Sequence, residues 1–306
     1  MKAVRYHQYG DSDVLRYEEV DRPTPGAGQV LVRVAGTAFN PADGAIRAGY
    51  LQDPFPLRFP HTPGYDMAGT VAETGPGVEG FRIGEPVVGF LPMNEHGAAA
   101  EFVLAPAEVL TAAPSGVDLA DAAAIPSAAL TAWQALFEHA KLQPGQRILI
   151  NGAGGSVGGL AVQLAAQAGA VVIATASPRS IDKVRSYGAD EVIDYTTTSV
   201  QDGQKPVDVI LNLAPLDTAQ QAALLDHVRP GGVLVTTVPP GPEDARAITM
   251  FVRNDVEQLA TLVKKVDAGE LRINVSERYP LADLAQVHEL SDAGKLPGKV
   301  VLTPGS

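Results

Sequence analysis

Five glycines fall within the eight residues GAGGSVGG, 152–159, which directly follow the apolar run RILIN and lead into LAVQLAAQAGA. Strand, glycine turn and helix in that order make a phosphate cradle. Small residues let the backbone approach an anion, and the first N–H groups of the helix point at it. The register that fits a dinucleotide fingerprint is Ala153-x-Gly155-x-x-Gly158, with Gly154, Ser156 and Val157 filling the loop. Gly155 is the point of backbone approach to a pyrophosphate, and Gly158 lets the helix pack close to the strand. The first glycine of the strict fingerprint is replaced by Ala153, and a plain packing turn is the alternative.

About 20 residues beyond such a loop, a site that prefers NADH offers an acidic residue to the ribose hydroxyls. Here the run VVIATAS ends in Ser177, followed by Arg179 and Lys183. A hydroxyl and two cations suit a 2′-phosphate, so NADPH is the expected cofactor. The competing reading is that Arg179 and Lys183 are solvated helix charges. Tyr195, closing EVIDY, either flanks the adenosine ribose or caps the sheet edge.

The elements that must position these residues form two rhythms. Up to about residue 114 the chain runs in short β-rich segments, among them QVLVRVAGTAF, MAGTVAET and EPVVGF, broken by clusters such as RPTPGAG and TGPGVEG. That pattern predicts irregular antiparallel β structure. From residue 118 helical segments alternate with the apolar runs RILIN, VVIATA, EVIDY, VDVILNLA and GGVLVTTV, which predicts a parallel sheet with helices on both faces. Residues 253–268 form one more amphipathic helix with Asn254 or Asp255 at its N-cap. GGVLVTTV is read as the sixth strand of the parallel sheet and AITMFVR, 247–253, as an edge strand just after it.

Composition removes several classes. The chain has 306 residues, 45 % hydrophobic and 19 % charged, which implies two compact domains rather than disorder. With 23 Lys and Arg against 35 Asp and Glu, the formal charge of -12 opposes nucleic acid and anionic lipid. The absence of cysteine excludes disulfides, a thiolate nucleophile and Cys-ligated metal. Without an apolar leader the sequence reads as cytoplasmic. The six histidines show no i, i+4 ligand spacing, so no metal site is expected.

The stretches AFNPADGAIRAG, PHTPGYDMAGTVAETGPGV, IPSAALTAWQAL, ILINGAGGSVG, YGADEVIDY and the terminal GKVVL together resemble the zinc-free quinone oxidoreductase branch of the medium-chain dehydrogenase/reductase superfamily. The resemblance implies an α/β protein. A GroES-like catalytic domain would occupy 1–117 and 270–306, and a Rossmann-type doubly wound parallel sheet 118–269. Zinc dehydrogenases of the superfamily carry Cys-x-x-Asp and Gly-His-Glu where this chain has Asn40, with Asp43 three later, and Gly64-Tyr65-Asp66. Both first ligands are missing. The structural zinc lobe is reduced to LPMNEHGAA.

Without a Lewis acid or a thiolate, reduction of an electrophilic acceptor is easier than alcohol oxidation. The chemistry implied is NADPH-dependent hydride transfer to quinones or activated α,β-unsaturated carbonyls. The residues carried over are Asn40, which would donate its amide to a carbonyl or to the nicotinamide ribose, Tyr50, which would donate its phenol, and Thr131, whose hydroxyl would sit by the nicotinamide. A turn for Asn40, a lid for Tyr50 and a helix-internal bond for Thr131 are the plain alternatives. Asp43 would order the loop, Asp66 would be structural and Trp133 would pack. The resemblance also implies a homodimer paired through the edge strand. An enoyl thioester reductase and a non-catalytic NADPH sensor are the rival functions.

Overall fold

The computed structural model describes residues 1–198 and 205–305. In chain order its strands are β1 (Lys2–Arg5), β2 (Arg16–Glu19), β3 (Gln29–Ala38), β4 (Asp66–Thr74), β5 (Pro86–Phe90), β6 (Phe102–Pro106), β7 (Leu110–Ala112), β8 (Arg147–Asn151), β9 (Val171–Ala176), β10 (Glu191–Asp194), β11 (Val207–Asn212), β12 (Val228–Thr236), β13 (Ala247–Thr249), β14 (Glu277–Pro280) and β15 (Val300–Thr303). The helices are α1 (Pro41–Arg47), α2 (Pro126–Trp133), α3 (Ser156–Gln167), α4 (Ile181–Ser186), α5 (Thr218–Leu224), α6 (Val256–Asp267) and α7 (Leu284–Asp292). Two compact units divide them, Met1–Ser127 with the return from Asn254 onward, and Ala128–Arg253.

The first unit is built on a mixed seven-stranded sheet in the order β14-β15-β3-β4-β5-β7, with β6 also paired to β3. Its register decides what meets at one end. Ala38 of β3 lies opposite Asp66 on β4 and opposite Val301 on β15. The residues just past or at those strand ends are therefore neighbours: Asn40, Asp66 and Lys299. Asn40 precedes α1, whose Pro41 holds the first helical position, where its missing N–H costs nothing.

The helix expected over 253–268 is α6, and its cap is Asp255, which accepts the Gln258 N–H at 3.0 Å. The sequence limits of 118 and 269 put this helix with the parallel sheet, whereas it groups with the first unit. There Leu259, Leu262, Val263 and Val266 form its buried stripe. Asp267 accepts the N–H groups of Ser115 and Gly116 at 2.7 and 3.0 Å.

The second unit is a six-stranded, wholly parallel sheet in the order β10-β9-β8-β11-β12-β13. Counted within the unit, that order is 3-2-1-4-5-6, and it reverses direction between β8 and β11, where the carboxyl ends of the strands open a crevice. GGVLVT belongs to the fifth strand of this sheet, not the sixth. The sixth is the short β13. The run AITMFVR is thus an edge strand only over Ala247–Thr249. Met250 turns inward, buried, with its N–H on the Thr236 carbonyl at 2.9 Å, because alternate N–H groups of a strand point to opposite sides. β11 is buried at all six positions, as a strand covered on both faces must be.

Helix α3 packs on β8 and β9. It comes this close because position 158 has no side chain. A Cβ there would press on the Gly152 carbonyl and lie 2.6 Å from Ala153 Cα. Gly158→Ala is therefore expected to force helix and strand apart and to destabilise the unit by about 1–3 kcal/mol. The loss would be read as a lower denaturation midpoint by circular dichroism, and an unchanged midpoint would contradict the packing.

Candidate functional site

At the end of the first unit's sheet stands a carboxylate with no solvent access. Asp66, 0 % exposed, accepts the Ser127 N–H on one oxygen at 2.7 Å and the Ser127 hydroxyl on the other at 2.6 Å. The second oxygen also accepts the Asn40 amide at 2.9 Å and faces the Lys299 ammonium at 3.4 Å. Ser127 lies in the first turn of α2, where unpaired N–H groups favour a negative charge. Lys299, 3 % exposed, gives its remaining hydrogens to Asn40 Oδ1 at 2.6 Å and to the Phe39 carbonyl at 3.3 Å.

This arrangement fixes the orientation of the Asn40 amide. Its two N–H groups go to Asp66 and to the Ala38 carbonyl, the latter at 3.2 Å, and its oxygen turns toward Lys299. Both donors are occupied. Asp43 bonds the Asn40 backbone N–H at 2.9 Å, so it orders the turn into α1. Its carboxyl is pushed from the ordinary 3.8 up to about 7, first by burial, and the neighbouring Asp66 charge adds to the effect. Hydrogen bonds from the Asn40 and Gly64 N–H groups and the charge of Lys299 pull the other way. The structure thus brings together Asn40, Asp43, Asp66, Ser127 and Lys299. Tyr50, just past α1, stands outside this network, 84 % exposed. Thr131 is buried within α2, 9 % exposed.

In the second unit the glycine loop closes the carboxyl end of β8. The tight turn is made at Gly152, whose φ of 90° only glycine adopts readily, one residue earlier than the fingerprint register suggests. Its N–H donates to Thr175 Oγ1 at 2.9 Å. Ala153 is buried, and Ser156 and Val157 open α3. A Cβ at Gly155 would meet nothing nearer than the Gly152 carbonyl at 3.4 Å, so the chain's own packing does not demand a glycine there. Space kept free beside helix N–H groups fits a pyrophosphate. Gly154 abuts Ser180, whose hydroxyl donates to the Ser177 carbonyl at 3.2 Å. Tyr195, half exposed, donates its backbone N–H to Ala176 at 3.3 Å, which sets it beside Ser177. Arg179 and Lys183 make no ion pair among the described residues. Gly152, Ser180, Ser127 and Lys299 were not singled out from the sequence. The glycine directly after an apolar strand was the available signal for Gly152.

Residues 26–115 match the alcohol dehydrogenase GroES-like domain, and residues 187–302 a zinc-binding dehydrogenase domain. The chloroplast envelope quinone oxidoreductase homolog of Arabidopsis thaliana is 33 % identical over 99 % of this chain and 98 % of its own length. The chain belongs to the quinone oxidoreductase branch of the medium-chain dehydrogenase/reductase superfamily. The 2-methylene-furan-3-one reductase of Solanum lycopersicum is 31 % identical over 99 % of this chain and 79 % of its own length. The quinone oxidoreductase of Coxiella burnetii superposes with a TM-score of 0.90, at 30 % identity over 100 % of this chain and 99 % of that one.

Superfamily members bind a nicotinamide cofactor. A zinc ion, which the second domain match implies, does not suit the donors present. At the two positions where zinc dehydrogenases place Cys and His stand an amide bonded at both ends and Tyr65, a phenol that burial pushes well above its ordinary 10. The rings of His61 and His96 are 5.9 Å apart, and burial pulls His61 down to about 4. No group of three or more metal-ligating side chains forms among the described residues. Among them, too, no helix is long and apolar enough to cross a membrane.

Asp43 makes stability depend on pH with a definite sign. Its folded value of about 7 lies above the 3.8 of an ordinary carboxyl, so the folded state holds the extra proton between those values. Stability falls as pH rises through that window and levels off above it. Asp43→Asn keeps an acceptor for the Asn40 N–H but has no proton to lose. Its melting temperature should gain on that of the parent between pH 5 and pH 8. A constant gap at both pH values would contradict the buried proton.

Proposed function

We propose that the protein reduces quinones or activated α,β-unsaturated carbonyls with NADPH and without a metal. The observation that carries this reading is the border of the glycine loop. Where an acidic clamp would stand after β9 there are the hydroxyls of Ser177 and Ser180 and the cations of Arg179 and Lys183, with Tyr195 alongside. Such groups attract a 2′-phosphate and leave a bare ribose without its usual acceptor. The names of the Arabidopsis and tomato relatives, a quinone oxidoreductase homolog and an enone reductase, support the acceptor class.

When bound, the nicotinamide supplies the hydride. The protein's part is to hold the acceptor, exclude water and meet the oxygen that gains charge with donors. Asn40, with both N–H groups and its oxygen already bonded, would shape the site rather than donate to the acceptor. Tyr50, 84 % exposed, would donate its phenol to the acceptor oxygen. Hydride addition to a quinone leaves a hydroquinone anion, and the one proton that completes it comes from water. Gly154, Gly155, Ser156, Val157 and Gly158, with Ala153 beneath them, would carry the pyrophosphate.

NADPH should bind more tightly than NADH by at least on the order of 100-fold, since two charge-assisted hydrogen bonds contribute roughly 1.5–3 kcal/mol each. Arg179→Asp should erase most of that preference in titrations of each cofactor, while equal affinities in the unmodified protein would refute the assignment. Loss of NADPH absorbance with simple quinones and enones tests turnover, which should survive prolonged chelation. Binding without turnover across the acceptor set would favour a sensor.

We also propose a homodimer paired through β13, the exposed edge of the parallel sheet. An uncovered edge strand invites pairing, and a two-fold dimer is the commonest closed assembly. Because Met250 bonds inside the unit, Phe251, 52 % exposed at the same edge, is the better probe. Phe251→Asp should shift the protein to monomer in light scattering, and a monomeric parent at micromolar concentration would refute the dimer.

A further inference from the structure

Four neighbouring strands of the parallel sheet each carry a buried polar residue at or next to their last position: Thr175 on β9, Asn151 on β8, Asn212 on β11 and Thr236 on β12. The register sets Asn212 level with both Asn151 and Thr236. The side chains join into one row. The Thr175 hydroxyl donates to Asn151 Oδ1 at 2.8 Å, and Asn151 Nδ2 donates to Asn212 Oδ1 at 2.8 Å. Asn212 Nδ2 then donates to Thr236 Oγ1 at 3.2 Å. Elsewhere these strands bury Val, Ile and Leu, and an apolar residue at each position would avoid the cost of burying polar groups.

Each member but Asn151 also grips the backbone of a loop. Thr175 accepts the Gly152 N–H at 2.9 Å, Asn212 donates to the Ala214 carbonyl at 3.3 Å, and Thr236 accepts the Val238 N–H at 3.2 Å. Those loops follow β8, β11 and β12 at the crevice where the strand order reverses. The glycine turn is thereby tied to two loops that it does not adjoin in sequence.

We propose that Thr175, Asn151, Asn212 and Thr236 act as a positioning relay that presets the dinucleotide cradle, so that cofactor affinity depends on side chains that never touch the cofactor. The proposal rests on the nicotinamide dinucleotide common to the superfamily, and not on the choice of NADPH or of acceptor. A relay of this kind transmits a change at Thr236 to Gly152 across three strands, because hydrogen-bonded neighbours orient one another. Thr236 is 0 % exposed, so its substitution acts on a ligand only indirectly, through the row or through the Val238 loop that it holds.

The test compares Thr236→Val, which keeps the shape and removes the hydroxyl, with Thr236→Ser, which keeps the hydroxyl. Dissociation constants for NADPH and for NADH are measured by fluorescence titration of the full chain, beside the melting temperature. Thr236→Val should weaken both cofactors by about three- to tenfold, the size of one net hydrogen bond. Thr236→Ser should match the parent. Thr175→Val, at the other end, should add less in the double variant than it does alone. If Thr236→Val does not fold, Thr236→Ala carries the comparison.

Affinity equal to the parent's in a Thr236 variant that melts earlier would make the row purely structural and overturn the proposal, as would Thr236→Ser binding as weakly as Thr236→Val. A parent chain that binds neither dinucleotide would remove the cofactor itself and the relay with it, an outcome distinct from failure of the variant pattern.

Discussion

A charge enclosed by protein has to be answered by protein, and the carboxylate of Asp66 organises the first unit on that condition. Its desolvation costs several kcal/mol by itself, which only close donors and a counter-ion offset. The answering groups come from three distant places: Asn40 after β3, Ser127 at the start of α2 and Lys299 ahead of β15. The last lies 233 residues from Asp66 along the chain. The C-terminal return must therefore reach β3 and β4 in one register for the charge to be covered. The pairing of β15 with Ala38 at the end of β3 delivers it.

The second unit solves a different problem. Its strands are apolar through the middle of the sheet, and its polar groups gather at the carboxyl edge, where parallel strands hand over to loops. Two glycines of one loop differ in what packing requires of them. Position 158 is closed by the chain itself, since any side chain would strike the Gly152 carbonyl and Ala153. Position 155 is not closed in this way, since a Cβ there would meet nothing nearer than the Gly152 carbonyl at 3.4 Å. Packing thus demands a glycine at one position and not at another three residues away.

Local order was readable from the sequence because it follows from periodicity and turn chemistry. The alternation from RILIN onward yields the parallel sheet, the glycine loop sits between strand and helix, and Asp255 caps α6. What was not readable depends on long-range geometry. An apolar helical stripe shows that α6 is covered but not by what, so the helix could be assigned to either unit. The sign of a backbone angle is invisible in a motif, so a register counted from Gly155 put Ala153 where Gly152 makes the turn. A donor inventory of Asn40 gives an amide two N–H groups to offer, whereas the fold spends both on Asp66 and Ala38. Only the folded chain brings Lys299 to the other end of that amide.

The balance of charge in this cluster is set by the chain's own groups. Two buried carboxyl groups, Asp43 and Asp66, face one buried ammonium, that of Lys299. Asp66 takes the ammonium together with three further hydrogen bonds. Asp43 accepts backbone N–H groups but has no cation of its own. Its burial and the charge on Asp66 raise its affinity for a proton until it titrates near neutrality. Below about pH 7 a proton does for Asp43 what the Lys299 ammonium does for Asp66. Because Asn40 is bonded to Asp66 through its side chain and to Asp43 through its backbone, the orientation of that amide is tied to both.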